Sequence, residues 1–592
     1  MSFDQGITFT IIAATMALFI WGRWRYDLVA VAALLAGVLT EVIPSQHAFM
    51  GFGHPAVITV AAVLVLSRAL QESGFVDHLA NLLARARHSP GLQIGASGGL
   101  TALMSAFMNN IGALALMLPV ALRNCKASKF GAGTVLMPLS FASLLGGLVT
   151  MIGTPPNIII AAFRADTQGT PFGMFDFTPV GLPVAVIGII FLSVIGWRLI
   201  PHQKSREVSQ QDYFHIATYI TQATLPANSN LVGSQVRDIE QICENEATVM
   251  AIIRGRRRIL APLAMQSLDA EDILILEGDA DALKPLFESP GLVKVGTEDL
   301  DPGSLQSSQV QVIETVVMPG SLLEGGSMRG LHMHERYGVN LLAMAREGNP
   351  PMTRLGSIRF KVGDVLLLQG DRESLSENLA PLGCLPLKTR ELTVRRTTRS
   401  WLPLLVFAAA IMVSALRILP IEIAFVLAVV VLLVCDALPL REAYRSINWP
   451  IIILLGALIP VGESLQRTGA TAIIAEAIVS TAGEIPVVLM LALVMIISMA
   501  LSDLIHNSPT AILMAPIAVA IAAKIGLPAD PFLMAVAVGS ASPYLTPIGH
   551  QSNTLVMGPG GYHFGDYWRL GLPLDIIIVA VAVPMIMWVW VP

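Results

Sequence analysis

The run Leu504-Ile505-His506-Asn507-Ser508-Pro509 interrupts an apolar stretch, and Phe107-Met108-Asn109-Asn110-Ile111-Gly112 interrupts another in the same way. A second interruption follows each one. It is Gly153-Thr154-Pro155-Pro156-Asn157 early in the chain and Pro547-Ile548-Gly549-His550-Gln551-Ser552-Asn553 near its end. A backbone that leaves helical form inside a bilayer frees amides and carbonyls that lipid cannot satisfy. Such breaks are tolerated only where protein or a polar cavity supplies partners.

Around these breaks the apolar segments are of membrane length. The first block reads as spans at 7–22, 27–44 and 55–71, a broken pair at 91–108 and 111–123, an interrupted stretch at 131–165 and a span at 178–199. The second block reads as 401–416, 419–438 and 450–466, a broken pair at 485–501 and 511–523, an interrupted stretch at 530–555 and a last span at 573–591. No small-residue cleavage site follows the first segment, which therefore reads as a retained helix. Charge separates the parts. Only 13% of the 592 residues are charged, and residues 201–400 hold 46 of those 79 charges. The composition describes two membrane blocks around a soluble insert and excludes a secreted disulfide scaffold or a disordered chain. A net charge of −5 gives no footprint for nucleic acid, and Cys125, Cys243, Cys384 and Cys435 have no metal-ligand spacing.

The blocks are copies of one another. Ala69-Leu70-Gln71-Glu72-Ser73-Gly74 matches Ser464-Leu465-Gln466-Arg467-Thr468-Gly469 at an offset of 395. Asn110, Met117 and Pro119 fall on Asn507, Met514 and Pro516 at 397, and Thr150 and Asn157 fall on Thr546 and Asn553 at 396. If each broken pair enters and returns as a re-entrant hairpin, each half crosses five times and the second inserts upside down. Arg23, Arg25, Arg85, Arg87, Arg123, Lys126 and Lys129 then share one face, the cytoplasmic one by the positive-inside rule. In the second half Arg441, Arg445 and Arg569 fall inside and Arg417, Arg467 and Lys524 outside. The expected fold is a polytopic α-helical membrane protein with two inverted-topology repeats, re-entrant hairpins and broken helices, plus a cytosolic α+β tandem insert. Its expected domains are 1–200, 205–295, 308–390 and 400–592, in a bacterial inner (plasma) membrane.

The insert is duplicated at an offset of 92. Ser229-Asn230-Leu231-Val232-Gly233 matches Ser321-Leu322-Leu323-Glu324-Gly325, and Arg254 falls on Arg346. Asp272-Ile273-Leu274-Ile275-Leu276-Glu277-Gly278-Asp279 matches Asp364-Val365-Leu366-Leu367-Leu368-Gln369-Gly370-Asp371, read as a strand closed by a Gly-Asp turn before a short helix. The pair resembles the C-terminal regulatory domains of potassium-conductance regulators and potassium-uptake proteins (TrkA-C/RCK-C-like). The resemblance implies a small-molecule ligand or dimerisation; two modules that merely stiffen the carrier are the plainer reading. Arg254-Gly255-Arg256-Arg257-Arg258 reads as a solvated turn, and Gly558-Pro559-Gly560-Gly561 likewise as a turn.

Interrupted segments at matching places in two halves point to a binding site at the membrane midplane. Half-helix N-termini offer amides to an anion. Freed carbonyls, with Asn and Ser oxygens, suit a hard cation. At these residues the chain resembles the divalent-anion/sodium symporter family, in the windows from Asn109 to Pro119 and from His506 to Pro516. Thr546 to Tyr562, with the tandem insert, is most similar to the sulfate or sulfur-deprivation-response permease branch. The resemblance implies sodium-coupled symport by a homodimer with elevator motion. No nucleophile–base or metal-ligand constellation appears in the sequence, so neither enzymatic activity nor an organic cofactor is expected.

By position it implies sodium ligands at Ser105, Asn109, Asn110 and Gly153, and at Ser502, Asn507, Gly549 and Gln551. It implies anion contacts at Asn109, Asn110, Thr154, Pro155, His506, Asn507, Ser508 and His550. The family's Ser-Asn-Thr hairpin motif here reads Asn109-Asn110-Ile111 and His506-Asn507-Ser508. Loss of hydroxyls that the family turns to carboxylates favours a compact tetrahedral oxyanion, sulfate above all. A charged His506 or His550 would attract a dianion, so uptake is expected to rise as pH falls. Asp503, costly in a bilayer, is expected to serve a cation site or stand behind one. The alternatives are a dicarboxylate symporter or other anion carrier, a cation/proton antiporter, and an anion sensor. A ligand-gated potassium channel would need a Thr-Val-Gly-Tyr-Gly filter, which is absent.

Overall fold

The computed structural model describes residues 2–21, 23–73, 89–126, 131–201, 401–482 and 485–591 of the helical part. Of the insert it describes 220–243, 248–254, 257–260, 262, 265–277, 285–287, 291–295, 310–328, 330–331, 333–346, 358–371, 375, 379 and 381–387. Gly74, Arg85, Arg87, Lys129, Gly255-Arg256 and Gly278-Asp279 lie outside the described residues. Two compact units result: 1–202 with 394–554 and 563–592, and 203–393 with 555–562.

In the helical unit the first repeat comprises α1 (Phe3–Trp21), α2 (Tyr26–Leu39), α3 (Pro55–Glu72), α4 (Pro90–Ser105), α5 (Asn110–Lys126), α6 (Ala132–Gly147), α7 (Pro155–Gln168) and α8 (Thr178–Val194). The second comprises α9 (Leu402–Ala415), α10 (Ile421–Val434), α11 (Leu440–Ser446), α12 (Trp449–Arg467), α13 (Ala470–Ala482), α14 (Val487–Ile505), α15 (Asn507–Ile525), α16 (Asp530–Ser540), α17 (Gln551–Gly560) and α18 (Tyr567–Trp590). Six helical segments among the described residues are long and apolar enough to cross a membrane, including both arms of the second broken pair.

Proline sets several helix starts. Pro55, Pro90 and Pro155 each open a helix, where a missing N–H costs nothing. The breaks therefore begin earlier than the sequence implies. They run from Leu148 to Thr154 and from Ala541 to His550, and Pro155-Pro156-Asn157 and Gln551-Ser552-Asn553 belong to the first turns of α7 and α17. The last helix starts at Tyr567 rather than 573, and Gly558 to Gly560 close α17 instead of forming a turn.

Two helices sit at the centre of their repeats. Every residue of α6 from Val135 to Gly147 is buried, as is every residue of α16 from Pro531 to Ser540. A helix apolar all round must be enclosed by protein or lipid. Each is enclosed by the same set of partners: α4, α5 and α8 around α6, and α14, α15 and α18 around α16. The two sets meet through α8 on α18 and through α7 on α15 and α16. A second layer joins the repeats crosswise, α2 on α12 and α3 on α10.

A buried ion pair helps tie the repeats together. Arg164 of α7 donates through Nε to Asp530 Oδ1 and through Nη2 to Oδ2, each at 2.8 Å, while Nη1 donates to the Thr170 carbonyl at 3.1 Å. Both side chains are mostly buried. Removing one partner strands the other, at a cost of about 3–5 kcal/mol for a fully buried pair. Arg164→Ala is expected to lower the melting temperature of the purified protein more than Arg68→Ala. The Arg68–Glu442 contact is longer, at 3.2 Å, and more exposed.

The insert holds two sheets. β1 (Ile220–Thr224), β2 (Thr248–Arg254), β3 (Arg257–Leu260), β4 (Ile273–Glu277) and β5 (Val293–Val295) form one, in the order β3-β2-β4-β1-β5. β6 (Val310–Val317), β7 (Val339–Ala345), β8 (Val365–Asp371) and β9 (Cys384–Pro386) form the other, in the order β7-β8-β6-β9. Omitting β3, the two orders are the same. Register shifts fall at Val249/Ala251 and Leu341/Ala343, again 92 residues apart. Gly370 and Asp371 remain in strand, contrary to the expected turn, because β8 pairs with β6 as far as Asp371.

Candidate functional site

The first break hangs between Ser105, which ends α4, and Asn110, which opens α5. The second is a single residue. His506 joins α14 to α15 at φ 84° and ψ 154°, a backbone region nearly reserved for glycine. Held strain of this kind marks a place where the surroundings fix the chain for a purpose.

The later breaks are pinned identically in the two repeats. Asn157 Nδ2 donates to the Thr150 carbonyl at 2.9 Å and the Gly147 carbonyl at 3.3 Å. Asn553 Nδ2 donates to the Thr546 carbonyl at 3.2 Å and the Pro543 carbonyl at 2.9 Å. The Thr150 hydroxyl donates to the Ala106 carbonyl, and the Thr546 hydroxyl donates to that of Asp503 at 2.8 Å. Each hydroxyl thus locks the later break onto the earlier one. All four residues were visible as repeat matches, but their chemistry was not.

Between the breaks lies a cavity of about 50 Å³. It has room for a small anion. The first turns of four helices reach it: Ile111 of α5, Pro155 and Ile158 of α7, Asn507, Ser508 and Pro509 of α15, and Gln551 of α17. Asn109, Ile152, Gly153, His506 and His550 complete that side. The opposite wall is Tyr26, Val60, Val63, Leu64, Ile451 and Leu454, which sequence reasoning missed. Tyr26 stacks at a tilt on His506, with ring centroids 5.8 Å apart. Among the described residues, no Lys, Arg, Asp or Glu lines the cavity.

Of the residues singled out from sequence, Asn109, Gly153, Pro155, His506, Asn507, Ser508, His550 and Gln551 are brought together here. Ser105, Asn110, Thr154, Ser502 and Gly549 stand off the cavity wall. Asn110 is buried with its carboxamide 2.6 Å from the Ser105 hydroxyl. Turned so that its nitrogen faces inward, the amide also donates to the carbonyls of Gly153 at 3.0 Å and Ser143 at 3.3 Å. Four side-chain and backbone groups thus meet at one point, and three of them offer only oxygen. In the second repeat the Ser502 hydroxyl donates to the Ser540 carbonyl at 2.6 Å. Asn507 Oδ1 accepts from the Ser508 amide at 2.8 Å, so Asn507 faces its own helix start.

His550 caps α17. The Ser552 amide donates to His550 Nδ1 at 3.0 Å, which makes Nδ1 the acceptor and leaves Nε2–H as the free donor. A second proton would have to displace that amide. In this arrangement the ring carries one proton and offers a neutral N–H, in place of the charged ring that the sequence reading expects. His550→Gln, which keeps an N–H donor, is expected to leave the pH profile of uptake unchanged. A lost acid limb in the variant would refute the neutral assignment.

The comparisons with known proteins agree with this architecture. The chain is 29% identical over 595 residues to the uncharacterized transporter sll0640 of Synechocystis sp., covering 99% of this chain and 97% of that one. It is 28% identical over 604 residues to the uncharacterized transporter YfbS of Escherichia coli, covering 98% of each. Sodium/sulfate cotransporter 1 of Chlamydomonas reinhardtii is 24% identical over 399 residues, covering 63% of this chain and 44% of that protein. The model of the CitMHS family, described as citrate transporter, matches residues 16–539. A helical membrane unit of two broken-helix repeats, matched by that model over most of its length, places the chain in the CitMHS family of membrane transporters.

Proposed function

We propose that the protein is a secondary active transporter that carries a compact divalent oxyanion, sulfate first, together with sodium. The observation that carries this reading is the cavity: about 50 Å³, approached by four helix first turns, with no cationic side chain among the described residues on its wall. Helix N-termini and neutral donors hold an anion without charge to spare, so cations bound nearby must balance a dianion. The oxygens of Ser105, Asn110, Ser143 and Gly153 suit a hard cation such as sodium, with the Asn110 amide presenting its oxygen edge. Ser502, Asn507, Gly549 and Gln551 would hold the second. Relatives named as sodium/sulfate cotransporters support both the ion and the anion.

In this reading the broken-helix layer slides as an elevator past the layer of α2, α3 and α12, whose contribution to the cavity wall is almost wholly apolar. The repeats are inverted, with five crossings each, and the chain works as a homodimer. The tandem insert, 205–295 and 308–390, lies in the cytoplasm as a regulatory pair of TrkA-C type. The family's description as citrate transporter offers a second substrate; the relatives named as sodium/sulfate cotransporters favour the smaller anion.

The test is radiolabelled sulfate uptake into proteoliposomes with and without an inward sodium gradient, competed by succinate, thiosulfate, molybdate and citrate. Sodium-driven sulfate uptake, blocked by thiosulfate or molybdate, is expected. Sodium-driven uptake of succinate or citrate with none of sulfate would overturn the substrate.

A further inference from the structure

His506 has a side chain that its backbone does not favour. Glycine reaches φ 84° and ψ 154° freely, whereas a residue with a Cβ is held there only at a cost. Something must repay that cost, and something must hold the imidazole in place. The main chain is tied by the Thr510 hydroxyl, which donates to the His506 carbonyl at 2.8 Å. The ring makes no hydrogen bond or ion pair among the described residues. Its ring contact is Tyr26, the first residue of α2, with the two planes at 50° and the centroids 5.8 Å apart. A tilted pair at that separation is attractive.

Both rings line the cavity, on facing walls. On its own wall Tyr26 stands among aliphatic residues: Val60, Val63, Leu64, Ile451 and Leu454. Neither ring is a remnant of the duplication. At an offset of 397 His506 falls on Asn109, and at 395 Tyr26 falls on Ile421, which opens α10 as Tyr26 opens α2. The break at Asn109 also has more chain to spend, from Ala106 onward, and Asn109 keeps a negative φ. The strained joint and the ring that holds its side chain thus occur together.

We propose that Tyr26 is a positioning residue for anion binding. Its ring holds the His506 imidazole against the cavity, and His506 keeps a costly backbone because that imidazole presents an N–H to the anion. An imidazole has at least one N–H whether neutral or charged, so the role needs no change of protonation. This rests on the cavity being the anion site, and not on which anion is carried.

The test is uptake into proteoliposomes under an inward sodium gradient, with radiolabelled sulfate and radiolabelled citrate in parallel. KM and kcat are read separately, beside the melting temperature of each purified variant. Tyr26→Leu is expected to raise KM about two- to tenfold, the range of one aromatic pair, with kcat changed less. Tyr26→Phe keeps the ring and is expected to recover most of that loss. His506→Gly removes ring and strain together. Its KM is expected to rise at least as far, although the protein melts no lower than wild type. The double variant Tyr26→Leu, His506→Gly is expected to match His506→Gly, because a ring that is gone cannot be held. Effects on KM that multiply in the double variant would overturn the proposal. So would a wild-type KM in either Tyr26→Leu or His506→Gly. Uptake of citrate without sulfate would defeat the substrate reading alone, since the same comparison then reads on citrate. A wild type that carries neither anion would overturn both.

Discussion

Asn553→Asp is expected to reduce uptake at least a hundredfold, and Asn157→Asp to do the same. The side-chain nitrogen of Asn553 donates to two carbonyls of the break, and its oxygen accepts from the Ser140 hydroxyl at 2.8 Å. The Tyr567 hydroxyl donates to its main-chain carbonyl at 2.7 Å. Asn553 is wholly buried and Asn157 almost so. Aspartate has the same shape but no donor, so it sets a carboxylate oxygen against two carbonyl oxygens. Two orphaned carbonyls cost about 1–3 kcal/mol each, and the buried charge adds to that. The break would move, and with it Gly153 and Pro155 or His550 and Gln551, which line the cavity. Sulfate uptake and thermal unfolding, measured together, check the prediction. Alanine, which orphans the carbonyls without adding charge, is expected to be milder than aspartate at both positions. If aspartate is no worse than alanine, the two donated hydrogen bonds do not set the break.

The two halves and their breaks were legible in the sequence because duplication kept offsets near 396 while polar residues marked each interruption. The cavity wall of Tyr26, Val60 and Ile451 was not. Its residues are apolar or aromatic within apolar helices, so no pattern separates those that face a cavity from those that face lipid. Break boundaries were misplaced for a different reason. Pro155 and Pro156 read as breakers, yet the first turn is where a helix accepts proline. The roles of Thr150 and Asn157 needed the fold. Their partners, Ala106 and Gly147, are ordinary residues made special only by where their carbonyls point. In the insert, Arg254 and Asp272 were each visible as repeat matches, but their pairing follows from the antiparallel register of β2 and β4, which brings Ile253 opposite Ile273.

That pairing recurs in both insert copies and yields an unequal pair of mutations. Arg346 donates through Nε and Nη2 to the two oxygens of Asp364, each at 2.7 Å, and the Lys361 amide donates to Oδ2 at 2.7 Å. Arg254 and Asp272 repeat the arrangement at 2.9 and 2.8 Å, with the Asp269 amide at 2.8 Å. The hydrogen bond to Asp272 raises the Arg254 guanidinium above its ordinary value, so it stays charged at any pH the protein meets. The partners are not equally exposed: the Asp364 side chain is 2% exposed and that of Arg346 is 30%. Without Asp364, the arginine turns to water and chiefly the Lys361 amide is orphaned, about 1–3 kcal/mol. Without Arg346, a carboxylate is left inside the protein with no countercharge, about 3–5 kcal/mol. Arg346→Ala is therefore expected to destabilise its copy more than Asp364→Ala, and the double variant less than Arg346→Ala alone. Hydrogen exchange along Val339–Ala345 and Val365–Asp371 reads the order directly, because these neighbouring strands are joined at one end by this pair. If Asp364→Ala proves the more damaging, the aspartate serves mainly to hold the Lys361 turn, and the arginine is its cover.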